Sequence, residues 1–315
     1  MKLLLKLKCA FKRFLLKWRI KTGRRLNVEQ EFEMLSLPNA LSLLKRRMKK
    51  FRLSDEAQLK IFDLKNSLEI LKSFISMCDL CKEAELKLFE HPNSKELISK
   101  YIQKYSMCVE AEIKLLEFDK TAELIKMYIK RYYLDNKSEV KLLEHPKAKE
   151  LLSLYIENKG LCDEADIKLV KLDHSGELIA MCIEKHALCD KAELELLNHP
   201  KANELLELYT QHYRLEDETL LAMFERTDFA EMVKMYIQRH PLSEKVQLKM
   251  FELANASELA EIYIKHHSLC DSAELKMLEL DNAIELAKLY IKTGDYFCEE
   301  AKQFLLIRLI ELAKA

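Results

Sequence analysis

One 27-residue pattern, repeated ten times without insertion, constrains this chain more than any other feature. Leu80–Ser106 reads LCKEAELKLFEHPNSKELISKYIQKYS and Met107–Tyr133 reads MCVEAEIKLLEFDKTAELIKMYIKRYY. The repeats begin at Leu26, Leu53, Leu80, Met107, Leu134, Leu161, Leu188, Leu215, Leu242 and Leu269, and the register holds to Asp295. Such a period means that each unit buries its apolar face on its neighbours. A 315-residue chain therefore needs no single large core.

Counting the first residue of each repeat as position one, the sequence predicts two short helices per repeat. The first covers positions three to eleven, with apolar residues at five, seven, nine and ten, as in Ala84, Leu86, Leu88 and Phe89. A break follows at positions twelve to fourteen. Pro38, Pro92, Pro146 and Pro200 all fall there, in alternate repeats, where proline ends one helix and is tolerated at the start of the next. The second helix covers positions fifteen to twenty-six, with one apolar stripe at 18, 19, 22 and 23. With four glycines, five prolines and no alternating β-branched runs, the class is all-α.

The termini differ from the repeats. Residues 1–25 hold ten Lys/Arg and no Asp/Glu, against 42 basic and 52 acidic residues in the remainder. Residues 2–20 read as a basic amphipathic helix, with Leu3, Leu7, Phe11, Phe14 and Trp18 on one face. It could cap the first repeat, lie on an anionic membrane, touch nucleic acid, or enter a partner's groove. Lysines interrupt any secretory apolar core, and the longest apolar run, Leu178–Ile183, is far too short to span a bilayer. Residues 296–315 read as an apolar terminal helix one residue out of register, whose Phe304, Ile307 and Ile310 leave two readings: an uncovered side that could form a tail-to-tail homodimer, or a helix that tucks deeper and buries every side. Nine cysteines, five of them at position two, fit free thiols in a reducing cytoplasm better than a disulfide framework.

Tandem helix pairs over residues 26–315 resemble the α-solenoid class that includes HEAT, armadillo and tetratricopeptide proteins, whose own units are longer. The resemblance implies a right-handed α-solenoid, with caps at residues 1–25 and 296–315 around the array at 26–295, acting as a binding scaffold.

Several columns could carry chemistry. Glu fills position 17 in nine repeats, and Asn66, Asn93, Asp228, Asn255 or Asn282 stands three residues earlier in five of them. That spacing predicts a capping box, so Glu150→Ala should cost stability. Lys at position eight, as in Lys60, Lys87, Lys114 and Lys168, follows Glu by four residues, the favourable pair orientation. Tyr at position 22 could stack bases, but lies in the buried stripe and is read as packing with its hydroxyl on a polar neighbour. Cys78 and Cys81 form a single CxxC, short of a zinc ribbon. His91, His145 and His199 sit beside the prolines, and no metal, cofactor or catalytic constellation is expected.

The expected function is therefore non-catalytic protein or peptide binding. The candidate surface is the varying outer face of the second helices: Lys72, Ser99, Lys126, Ser153, Glu207 and Lys234 at position 20, with Gln103, Lys130, Glu157, Glu184, Gln211 and Gln238 at position 24. The alternative is nucleic-acid or anionic-membrane binding through residues 1–25, which adds a peripheral membrane location to the cytoplasmic one.

Overall fold

A computed structural model describes residues 14–22, 24–118 and 122–314, with side chains through residue 310. Leu3, Leu7 and Phe11 lie outside the described residues. Every described element is helical, and each of the ten repeats carries two α-helices, from Val28–Leu35 and Ala40–Met48 to Asp271–Leu278 and Ala283–Lys292. The chain forms two compact bodies, one ending at Lys159 and the other beginning at Gly160, each containing five repeats.

Within each body, first helices pack on first helices of adjacent repeats and second helices on second helices, giving two layers of an all-α solenoid. Helices of seven to eleven residues are marginal alone, so stacking supplies their stability. The second-helix stripe is fully inside: Leu97, Ile98, Tyr101 and Ile102 are each 0% exposed. Each such apolar burial contributes about 1.5–3 kcal/mol relative to exposure.

The first-helix face differs from its reading in one column. Positions five, six, nine and ten are buried, and position seven is only half-buried. Position six is a carboxylate or carboxamide in nine repeats, including Glu31, Gln58, Glu85, Glu112, Glu139, Gln247 and Glu274, all buried. A buried polar group needs partners. Tyr101 donates to Glu85 at 2.6 Å, and Tyr128 and Tyr155 donate to Glu112 and Glu139 at 2.7 Å. Each Tyr hydroxyl also accepts the N–H of its own repeat's first residue, as Met107 shows at 2.9 Å. The other Glu oxygen reaches onward to the second residue of the next repeat: Cys108 N–H to Glu85 at 2.7 Å, and Asp135 N–H to Glu112 at 3.0 Å. One side chain thus closes its own repeat and fastens the following one.

Repeats 1 and 2 change both positions at once, whereas repeats 8 and 9 keep Tyr236 and Tyr263 with Leu220 and Gln247 at position six. Repeat 1 pairs Glu31 with Arg47 at 3.2 Å, both buried. Repeat 2 has Phe74 at position 22, which offers no hydroxyl, and uses neutral Gln58. Gln58 still accepts the Cys81 N–H at 2.8 Å and donates to the Leu53 carbonyl at 3.3 Å.

The turns between helices have their own device. His91, His145 and His199 each accept, through Nδ1, the N–H two residues on at 3.0 Å, across the following proline. The terminal helix Glu299–Lys314 packs on Asp271–Leu278, continuing the first-helix layer of the second body. Its register is displaced by one residue: Glu274 accepts the N–H of Cys298, 24 residues on, where neighbouring repeats use 23. Gly294, at φ +97°, follows the preceding helix in the left-handed region that glycine adopts freely.

Candidate functional site

The outer face of the second helices is what the interior leaves available. Position 24 is exposed at Gln103, Lys130 and Glu157 in the first body, and at Glu184, Gln211 and Gln238 in the second. Packing of consecutive second helices makes each group of three a continuous row. Position 20 is less accessible. Lys72, Ser99, Lys126, Ser153 and Lys234 are half-buried, and Glu207 is exposed.

Three of those residues are engaged in the stack. Lys126 meets Glu123 of its own repeat at 3.0 Å and Glu150 of the next at 2.7 Å. Lys234 meets Glu231 at 3.0 Å and Glu258 at 2.7 Å, while Lys72 meets Glu96 at 2.6 Å. Hydrogen bonding to Glu150 and then Glu123 holds the Lys126 ammonium above its ordinary range.

This corrects the capping box. Asn66, Asn93, Asn255 and Asn282 make no side-chain cap, and Asp228 is bound to Arg226 at 2.9 Å. The chain enters the second helix from a turn at φ near −105°, which already binds the first N–H groups: Ser94 N–H reaches the His91 carbonyl at 2.9 Å. The position-17 carboxylate remains in the first helical turn, favourable to the dipole, and ties adjacent repeats through Lys.

The Lys column at position eight also finds other partners than the expected Glu four residues before it. It pairs with position eleven, as in Lys60–Asp63 at 3.2 Å and Lys249–Glu252 at 3.3 Å. It also reaches the preceding repeat, as in Lys114–Glu90 at 3.1 Å and Lys141–Glu117 at 3.4 Å. Between repeats 6 and 7 both charges are reversed and the contact persists as Lys171–Glu195 at 3.0 Å. An exposed pair of this kind contributes little stability, but conserving it under inversion fixes spacing between repeats.

Beside position 24 lies a column that the sequence reading passed over. Position 21 holds Met181, Leu208, Met235, Ile262 and Leu289 in five consecutive repeats of the second body, all half-buried. In the first body it is apolar only at Met127 and Leu154, after Ser73 and Lys100. Aligning the repeats column by column exposes this stripe, whereas the helical stripe at 18, 19, 22 and 23 draws attention away from it.

Comparison of the chain with models of known protein families, with curated proteins and with solved structures finds no match.

The two ends offer further surfaces. Residues 14–22 are helical and bury Leu16 and Ile20, with Arg19 donating to Gln30 at 3.0 Å. The docked face is therefore not the one that carries Phe14 and Trp18. Phe14 and Trp18, on the apolar face read from the sequence, are 63% and 40% exposed. They share the outer side with exposed Lys17 and Lys21, and Arg24 lies 4.7 Å over the Trp18 ring.

On the terminal helix, Phe304, Leu306, Ile307, Leu309 and Ile310 are exposed, leaving the apolar side that the sequence anticipated. Arg308 anchors the opposite side, donating to the carbonyls of Leu278 and Leu280. Among the described residues, no helix is long and apolar enough to cross a membrane.

Among the described residues no cysteine forms a disulfide. Burial pushes Cys78 up to about 12, which makes it a poor nucleophile. At the N-caps of their helices, Cys81, Cys108, Cys162, Cys189 and Cys270 make no side-chain cap.

Proposed function

We propose that the chain is a non-catalytic scaffold that binds a protein or peptide along the outer face of its second helices. The observation that carries this is the pairing of columns in the second body. Exposed, varying position 24 runs beside the half-buried apolar position 21 through successive repeats. The fixed columns face inward or join neighbours, which leaves the varying outer positions for a ligand to read. Methionines in such a stripe adapt to differently shaped apolar partners.

A photo-reactive amino acid at Gln211, with Glu252 as a control on the first-helix side, tests the reading in cell extract. Discrete protein adducts at 211 and none at 252 support it. Equal labelling at both, or none, contradicts it.

A second reading rests on the exposed aromatic and basic side of residues 14–22. Phe14 and Trp18 flanked by Lys17 and Lys21 have the character of an interfacial helix on an anionic leaflet. Flotation with phosphatidylserine vesicles, neutral vesicles and duplex DNA separates the membrane from nucleic acid. Tail-to-tail pairing through Ile307 and Ile310 is proposed on the uncovered side of the terminal helix.

A further inference from the structure

In repeat 6 the Tyr–Glu arrangement gives way to a different chemistry. Position six is Asp166, position 22 is Cys182, and position 26 is His186. In repeats 3, 4, 7, 8 and 9 position 26 holds an aromatic ring against the Tyr, as in Tyr128–Tyr132 at 5.1 Å and Tyr236–His240 at 4.6 Å. Only in repeat 6 does the position-26 imidazole stand with a thiol and a carboxylate. The ligand atoms of Asp166, Cys182 and His186 all lie within 4.8 Å of one another.

The local structure explains how they meet. Asp166 is on the helix Asp163–Val170 and is 3% exposed. Cys182 is in the last turn of the helix Gly176–Lys185 and is 0% exposed. His186 is the C-cap of that helix, in extended conformation, with its N–H on the Cys182 carbonyl at 2.9 Å. Four residues apart on a helix end, Cys182 and His186 share one face. Glu→Asp and Tyr→Cys each shorten a side chain, so the two groups that touch in other repeats are drawn back from each other. All three residues belong to the second body.

We propose that Asp166, Cys182 and His186 bind a divalent ion of the zinc class. Sulfur, imidazole nitrogen and carboxylate oxygen are the donor set that zinc and cobalt(II) accept, at about 2.0–2.3 Å each. Ligands at those lengths stand roughly 3.5 Å apart in a tetrahedron, which small side-chain rotations reach from the present spacing. On binding, the Cys182 S–H bond breaks, the proton passes to solvent buffer, and a sulfur–metal bond forms. Thiolate and carboxylate then balance the double positive charge, leaving the buried site neutral. Half-buried His186 marks the side from which the ion and a fourth, water ligand enter.

Two competing readings fail on the same geometry. A Cys–His–Asp nucleophile requires substrate at the sulfur, but Cys182 is wholly enclosed, and burial followed by the Asp166 charge pushes its thiol far above the usual range. Among the described residues a second cluster of comparable donors, Asp271, Glu274 and Cys298, serves the clamp. There Glu274 accepts the Tyr290 hydroxyl at 3.0 Å and the Cys298 N–H at 2.8 Å.

The full chain, stripped with chelator and kept reduced, is titrated with cobalt(II). The expected result is one equivalent bound with a thiolate-to-cobalt charge-transfer band, release of one proton, and a higher unfolding temperature. The variant Cys182→Tyr/Asp166→Glu restores the pair of repeats 3, 4 and 5, so it should fold and lose that equivalent. His186→Ala, at a position where other repeats carry Lys159 or Gly294, should weaken binding at least tenfold without unfolding the chain. The other thiols are present in every variant. If wild type takes up no more cobalt, and shows no stronger band, than both variants, the site does not exist.

Discussion

Glu112 stands sixteen residues before Tyr128 and accepts its hydroxyl hydrogen at 2.7 Å, while its second oxygen accepts the Asp135 N–H of the next repeat at 3.0 Å. Both groups are buried, so the bond is made in low dielectric and its loss strands polar atoms. Tyr128→Phe should therefore cost about 1–3 kcal/mol. Adding Glu112→Gln recreates the Gln58–Phe74 pair of repeat 2 and should recover part of that loss. Denaturant unfolding of both single variants and the double variant measures the coupling. Strict additivity would show that the pair does not act as one device.

Burial raises the carboxyls of Glu112 and Glu193 above the ordinary value of 4.5. The folded state then holds their protons more tightly than the unfolded chain. Their contribution is fully present below the unfolded value and is lost as pH rises through the raised folded values. Glu112→Gln/Glu193→Gln should flatten this fall above about pH 4.5. Unfolding midpoints across that range check it, and parallel curves for wild type and variant would contradict it.

Much of this architecture is legible in sequence, because period, proline placement and the second-helix stripe follow from backbone and hydrophobic physics. The one-residue displacement before Phe297 is legible too, and Gly294 with its positive φ lies in the same connection. Position six is not, since a Glu on a short helix ordinarily faces water and only its fixed distance from Tyr betrays the bond. The Asn–Glu spacing misleads for a local reason. A cap needs extended backbone at the Asn, as Asn27 has at ψ 169°, whereas Asn93 sits at ψ 34° in a turn. Of the candidate surface, position 24 is legible from its variability, and position 21 is hidden because its residues are apolar and read as core.

Glu150 provides a contrast with Glu112. It is exposed and held by Lys126 at 2.7 Å, so Glu150→Ala should change stability far less than Glu112→Ala. Thermal unfolding of both at low and high salt checks this. A loss at Glu150 equal to that at Glu112, insensitive to salt, would restore the capping account.

Ile307 is 57% exposed on the uncovered side of the terminal helix. If that side pairs with a second copy, wild type sediments as a dimer and Ile307→Glu as a monomer with unchanged helicity. A monomeric wild type at tens of micromolar (about the range where such contacts form) removes tail-to-tail pairing.

The scaffold account depends most on the outer face of the second helices. Quantitative capture from extract should compare wild type with Gln211→Arg/Gln238→Arg, two exposed positions outside every interior contact described above. The account predicts that partners held by wild type are lost from this variant while its unfolding midpoint is unchanged. Retention of the same partners at the same yield would place recognition elsewhere on the chain.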